Sequence, residues 1–181
     1  MADEKTDSEL IAKVAAGDRG AMKEFYVRHS DAVYGFIRSR LADPMEASDV
    51  LHDTMLEVWR RADSFAARSS VRSWVFSIAR NKAVDRLRQK SRTLLTDTDP
   101  DIEDDAPDPL SAAIAAQNAE KVRACVETLS DPHRAVVHLA FFEDLSYSEI
   151  ADIEGCPVGT VKTRIYHAKK LLTRCLSETD V

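Results

Sequence analysis

The residues with the clearest chemical potential lie near the end of the chain. Thr160, Lys162, Thr163, Arg164, Tyr166, His167, Lys169 and Lys170 crowd cations and hydroxyls into one short stretch. Lys and Arg donate to guanine O6 and N7, a hydroxyl serves donor and acceptor edges alike, and flanking positive charges neutralise phosphates. A second basic set, Arg72, Arg80, Asn81, Arg86 and Arg88, lies in the first half of the chain. Catalysis finds no comparable footing. The five His are scattered, and no nucleophile–base dyad or triad, phosphate-binding glycine loop or zinc-ligand spacing stands out. No catalytic, cofactor-binding or metal-binding residue is therefore assigned, and an enzyme is not expected. The three cysteines, Cys125, Cys156 and Cys175, form no CxxC pair, and disulfide stapling is not expected. Cys156 reads as a small turn residue, His138 as a core residue and His167 as a solvated one.

Helices must position these side chains. With five glycines and no long β-branched alternation, the chain reads as all-α. Leu10–Val14 opens a short helix ending near Gly17 and Gly20. Ala21 to about Leu41 follows, with Phe25, Val33, Phe36 and Ile37 as core positions. Asp43, Pro44 and Glu46 give an N-cap, a proline at N1 and an N3 carboxylate reaching back. The helix they start runs through Val50, Leu51, Met55, Val58 and Trp59. Positions 64–70 read as a loop. Val71 begins a long helix with Val71, Trp74, Val75, Ile78 and Leu87 mostly on one side and the basic set largely elsewhere. Asp108 and Pro109 look like another cap, opening a helix to about Leu129 with Ile114, Val122 and Val126 inward. A further helix follows Asp131 and Pro132, with Val136, Val137, Ala140 and Phe141 inward. Ser146 and Glu149 form a capping-box pattern for a short helix. Gly155 ends it and Pro157 restarts the chain, so the last helix runs from about Val158 to Leu176. Two helices joined by a tight glycine-containing turn form a helix-turn-helix. Val161, Ile165, Ala168 and Leu172 turn its second helix toward the core, which leaves the cations and hydroxyls on the other faces. The competing reading is a helical hairpin whose basic end merely faces water.

The 181-residue chain carries a net charge of -6, which by itself argues against a nucleic-acid partner. The distribution changes that inference. Residues 1–90 hold 16 Lys and Arg against 14 Asp and Glu; residues 91–120 hold one against eight; residues 121–181 hold eight against nine. Seven acidic residues, no basic ones and three prolines fall between Thr93 and Pro109, the signature of an exposed linker. The expected organisation is two small helical domains, 1–92 and 110–181, joined by an acidic flexible linker, 93–109, the second domain containing the helix-turn-helix. An acidic loop inside one domain is the alternative. No apolar run approaches the length of a membrane span. The N-terminus is acidic rather than basic then apolar, so no signal peptide and a cytoplasmic location are expected.

The run LSYSEIADIEGCPVGTVKTRIYHAKKLL at 145–172, with DVLHDTMLEVWRR at 49–61 and SVRSWVFSIARNKAVDRLRQK at 70–90, resembles the extracytoplasmic-function sigma factors of the sigma-70 family. The three segments in this order, split by an acidic linker, carry the resemblance over nearly the whole chain. It implies that 49–61 docks on the RNA polymerase clamp, with Asp49, Asp53, Leu56, Glu57, Trp59 and Arg60 as the matching positions. It implies that Phe65, Arg68, Arg72, Arg80, Asn81, Lys82, Arg86 and Arg88 hold an opened strand at the promoter -10 element. An extruded base there needs a pocket, and its phosphates need positive neighbours. Asp85 keeps the family's Asn-x-x-x-Asp spacing and would lock neighbouring side chains rather than touch DNA. It implies that Ser146, Tyr147, Thr160, Lys162, Thr163, Arg164, Tyr166, His167 and Lys169 read the -35 element as duplex. Arg is frequent in the family where His167 stands, and a neutral His gives up a phosphate or guanine contact.

The implied function is promoter-specific transcription initiation. The implied partners are core RNA polymerase through its beta' clamp and beta subunit, promoter DNA and a cognate anti-sigma factor, with no cofactor and no direct membrane insertion. Two other classes compete. A conventional helix-turn-helix regulator would use residues 1–90 for effector binding or dimerisation and bind DNA tightly without polymerase. A helical adaptor would bind neither. The basic, Asn- and Asp-bearing segment Ala79–Leu87 weighs against the regulator.

Overall fold

The computed structural model describes residues 4–93 and 120–178, and every regular element in them is helical. The first group comprises α1 (Glu4–Ala15), α2 (Arg19–Arg38), α3 (Pro44–Arg61) and α4 (Val71–Thr93). The second begins with α5, helical over 120–127, and continues with α6 (Asp131–Val137), α7 (Tyr147–Glu154) and α8 (Val158–Glu178). The acidic stretch up to Pro109 and the cap expected at Asp108 and Pro109 lie outside the described residues, as does Ile114.

Helix starts follow local chemistry. Asp18, in extended backbone, accepts hydrogen bonds from the N–H groups of Gly20 and Ala21 at 2.8 and 3.1 Å, so α2 begins at Arg19 and takes Gly20 into its first turn. Asp43 caps α3 through the Met45 N–H at 2.8 Å, with Pro44 at the first position. Glu46 does not reach back as expected: its carboxylate lies 3.2 Å from Lys90 Nζ on α4. At α7 the expected capping box is present. Ser146 Oγ accepts from the Glu149 N–H at 3.3 Å, and Glu149 accepts from the Ser146 N–H at 2.9 Å. Gly155 then sits at φ 61°, ψ 40°. A Cβ there would meet nothing within 4 Å, so the turn needs glycine for its backbone angle and not for space.

One apolar core runs through both groups. Phe25, Val33, Phe36 and Ile37 of α2, Val50, Met55 and Val58 of α3, and Val75 and Phe76 of α4 are buried together with Leu139, Leu145, Ile150 and Ile153 of the second group. A smaller cluster of Leu129, Val137 and Ala168, with Leu172 against it, holds α6 to α8. Two expected core residues are exposed. Phe141 is turned out because α6 passes into a wider π-helical turn over His138–Phe142, closed by the Glu143 N–H on the His138 carbonyl at 3.2 Å. The extra residue per turn keeps Leu139 inside and swings Phe141 and Phe142 outward. Val122 is exposed too, because the buried side of α5 is marked by Cys125.

Cys125 also corrects the expectation on disulfides. It is bonded to Cys175 near the end of α8, across a Cα–Cα distance of 5.8 Å and a sequence separation of 50. Spacing in the sequence does not reveal that these two helices lie side by side. Cys156 is a free thiol, half-buried in the turn as expected. Thiol titration of the unfolded, oxidised protein should find one reactive group, and three after reduction. Cys125→Ser should lower the unfolding free energy of the second group by about 4 kcal/mol, the loop-closure value for a cross-link of this span. Equal melting of oxidised wild type and variant would contradict the assignment.

Candidate nucleic-acid interface

On α8 the core-facing line Val161, Ile165 and Ala168 is buried, and Leu172 is half-buried behind it. Helical geometry places Lys162, Thr163, Tyr166, His167, Lys169 and Lys170 on the opposite arc, and all six are exposed. The structure thus gathers most of the sequence-assigned duplex-reading residues onto one face. The Thr163 hydroxyl donates to the Gly159 carbonyl at 2.9 Å. Lys169 Nζ stands 5.2 Å from the centre of the Phe141 ring, a cation–π contact that gives the outward-turned phenyl a partner. Thr160 and Arg164 are half-buried beside that face. Arg164 lies 3.8 Å from a carboxylate oxygen of Glu154, so it is held at the helix–turn junction rather than on the open face. Ser146 and Tyr147, at the start of α7, are exposed.

The basic set on α4 does not form a single surface. Lys82 and Arg86 turn toward α3, where they approach Glu57 at 3.4 Å and Asp49 at 3.5 Å. Arg72 and Arg80 turn toward the second helical group. Arg72 pairs with Glu143, and Arg80 donates to the Glu154 backbone carbonyl at 3.1 Å. Asn81 and Arg88 face solvent, and Arg88 lies 4.0 Å from Asp85, both side chains largely exposed. The helix is therefore polar on three sides because α3, the second helical group and solvent each take one of them.

The loop leading into α4 carries the remaining residues of this set. Phe65 is half-buried, its ring 5.2 Å from that of Trp74, and Arg68 is exposed. Ala67 takes φ 50°, a left-handed conformation that costs a non-glycine residue of order 1 kcal/mol. Ser70 accepts from the Ser73 N–H at 3.1 Å and so starts α4. A cavity of about 680 Å³ opens beside this loop, lined by Ser8, Glu9, Phe65, Ala67, Ser69, Ser70 and Val71. On α3, Asp49, Asp53, Leu56 and Arg60 form an exposed line at helical spacing, with Leu56 46% exposed at its centre. Glu57 is half-buried on the α4 side and Trp59 packs against the core, so these two stand apart from that line.

Sequence reasoning missed the cluster that joins the two helical groups. Arg40, at the end of α2, pairs with Glu154, and their side chains are 7% and 4% exposed. Glu143 accepts from Arg72 and stands 3.3 Å from His138 Nε2. His138 packs over α2, its Cε1 3.0 Å from where a Cβ on Gly35 would stand. Ser73 and Ser70 hydroxyls lie 3.1 and 3.4 Å from Glu149. The one sequence signal was the position of Glu154, directly after Ile153 and four residues beyond Ile150, on the apolar side of α7.

Burial pushes the carboxyls of Glu143 and Glu149 up, yet their hydrogen bonds outweigh it. The donors are His138 and Arg72 for the first, and Ser146, Ser73 and Ser70 for the second. Both carboxyls end below their ordinary 4.5. Their folded-state values lie under the unfolded ones, so the stability they contribute is present above about pH 4.5 and lost as pH falls through the folded values. The melting midpoint should fall across that acid window, and Glu143→Gln should make the fall shallower. Thermal melts from about pH 6 to about pH 3 check this; identical slopes for the two proteins would contradict it.

Among the described residues, no helix is long and apolar enough to cross a membrane, and no group of three or more His, Cys, Asp or Glu is arranged to hold a metal. Comparison with known proteins gives two family matches: Sigma-70 region 2 over residues 25–93 and Sigma-70 region 4 over residues 119–172. The chain is similar to the ECF RNA polymerase sigma factor SigK of Mycobacterium tuberculosis (strain H37Rv), at 31% identity over 176 residues, covering 92% of this chain and 91% of that protein. Among solved structures it resembles the sigma factor RpoE from Bartonella quintana in a co-crystal with the anti-sigma factor NepR. That match has a TM-score of 0.72 and 26% identity, covering 86% of this chain and 96% of that one. It also resembles CnrH in complex with the cytosolic domain of CnrY, with a TM-score of 0.67 and 26% identity, covering 95% of this chain and 97% of that one.

Proposed function

Starting from a chain that belongs to the extracytoplasmic-function sigma factors of the sigma-70 family, we propose how its surfaces divide the work of promoter-specific initiation. Residues 1–92 bind core RNA polymerase and the -10 element, residues 110–181 read the -35 element, and 93–109 connect them. The observation that carries this reading is the six-residue polar face of α8, set opposite a buried apolar line and presented by a capped, glycine-turned helix pair. Such a helix enters the major groove with Lys162 and Lys169 toward base edges or phosphates, while the N-terminal end of α7, at Ser146 and Tyr147, approaches the backbone. The exposed α3 line, with Leu56 flanked by Asp49, Asp53 and Arg60, suits a basic polymerase surface with a small apolar recess. The cavity beside Phe65 and Ala67 suits an unstacked base, and the exposed Arg68 stands between two of its lining residues, Ala67 and Ser69, in the chain.

The family consists of initiation factors that catalyse no covalent step, and the proposed mechanism needs none. Polymerase performs the chemistry, and this chain supplies positioning and strand capture. Near-neutral units make local patches, not net charge, the source of DNA attraction, so polymerase supplies much of the affinity. A relative of the same fold is held by an anti-sigma factor, and control by a protein of that class is proposed here too.

Transcription from a genomic promoter library with purified core polymerase tests the function. Specific initiation is expected only with both proteins present; absence of core binding and of specific initiation would overturn it. Lys162→Ala should weaken promoter affinity about tenfold, the low end of a lost base-edge or paired phosphate contact, and leave core affinity unchanged. An equal loss of core affinity would show that α8 does not have a separate DNA-reading role.

A further inference from the structure

Two histidines from different helices meet beside the exposed face of α8. His133, in the first turn of α6, is half-buried, and its ring centre lies 6.5 Å from that of His167, the planes 68° apart. His167 is exposed, with the Tyr166 ring edge-on to it at 5.5 Å. Ser130 Oγ stands 2.7 Å from His133 Nδ1. A hydroxyl donates to the neutral ring and accepts from the charged one, so this contact orients the ring in both states and leaves an N–H on Nε2. The charges around the pair are largely positive. Arg164 of α8 acts on His133, and helical spacing sets Arg164 and Lys170 beside His167. Asp131, on the His133 helix, is paired with Arg134 at 3.4 Å. Burial, then His167, then Arg164 hold His133 below its ordinary 6.5. Two imidazoles that oppose each other's charge, beside further cations, form a site that an anion relieves. The spacing points the same way. Two histidines on one tetrahedral metal ion, with bonds of about 2.0–2.1 Å, bring their ring centres to roughly 5 Å. Two N–H donors about 2.8 Å from a phosphate oxygen set the centres roughly 6 to 7 Å apart, as they stand here.

We propose that His133 and His167 clamp one backbone phosphate of the duplex read by α8, each donating an N–H to it, and that duplex binding here takes up protons. This rests on the reading of α8 as the duplex-reading helix, and it adds α6 to that surface. A neutral imidazole gives the phosphate one hydrogen bond; a charged one makes that bond charge-assisted. Phosphate favours the charged ring, so the DNA-bound pKa values lie above the free ones. The added affinity is therefore full below the free values and lost as pH rises through the bound values. That window lies above the acid range in which Glu143 and Glu149 lose their charge.

The test uses the full chain and a short fluorescein-labelled duplex of mixed sequence, with affinity read by anisotropy. From about pH 7.5 to about pH 5.5, wild type should tighten about tenfold more than H133Q/H167Q, the effect of one net proton taken up over one pH unit. Glutamine keeps an N–H donor but cannot charge, so acid effects on the rest of the chain are common to both proteins. H133Q alone should also flatten the dependence, at wild-type helix content by circular dichroism. Imidazole resonances of the wild-type chain, followed by NMR, should show both histidines titrating at higher pH with duplex than without. If wild type binds duplex and H133Q follows the same pH dependence, the clamp is overturned while the α8 reading stands. If inorganic phosphate alone raises both titrations as far as the duplex does, the site holds a free anion and the duplex clamp is overturned. If no form binds duplex anywhere in the window, the α8 reading fails and the clamp falls with it.

Discussion

A carboxylate taken out of water has to be matched by donors. Leaving one partner of a buried ion pair alone costs on the order of 3–5 kcal/mol. Glu154 is such a group, its side chain 4% exposed at the end of the helix that leads into the Gly155 turn. Within its own helical group it has Arg164 at 3.8 Å, and its close partner, Arg40, comes from the turn that follows α2. The placement of α7 against α2 and α4 follows from that demand together with the apolar residues beside it. The apolar surface supplies most of the drive to associate, because a buried pair is near break-even against hydrophobic replacement. The pair supplies the register, since sliding the two groups by one helical turn would strand both charges.

The same logic explains α4. A long helix polar on three sides is unstable as a free element and gains its order from packing. Here Val71, Val75, Ile78, Ala79 and Ala83 enter the core. Lys82, Arg86 and Lys90 meet Glu57, Asp49 and Glu46 of α3, and Arg72 and Arg80 meet the second group. The pairs with α3 are partly exposed and each contributes little, but in sequence along the helix they fix its rotation. That rotation decides which cations a nucleic acid can reach.

Much of this was legible in the sequence where the governing interaction is local. The caps at Asp43 and Ser146, the left-handed Gly155 and the apolar line of α8 each depend on residues within a few positions of one another, and each stands where the pattern placed it. The exposed face of α8 followed from the same periodicity. What depends on distant partners was hidden. Arg72 and Arg80 read as solvent-facing cations because Glu143 and Glu154 lie over seventy positions away. Cys125 and Cys175 looked unrelated because no short-range signal reports that α5 and α8 are neighbours. Phe141 read as core because periodicity assumes an unbroken α-helix, and one π turn rephases everything after it. Glu46 chose Lys90 over its own N-cap for the same reason: a tertiary partner outbid a local one.

Both faces of the inter-group contact belong to one polypeptide, and this has a consequence for dosage. Encounter with polymerase is bimolecular, so its occupancy climbs as more copies of the protein are made. The contact between the two groups is unimolecular and is the same at any copy number. A partner that needs the groups apart must therefore supply, from its own difference in affinity for the two arrangements, whatever free energy the contact holds.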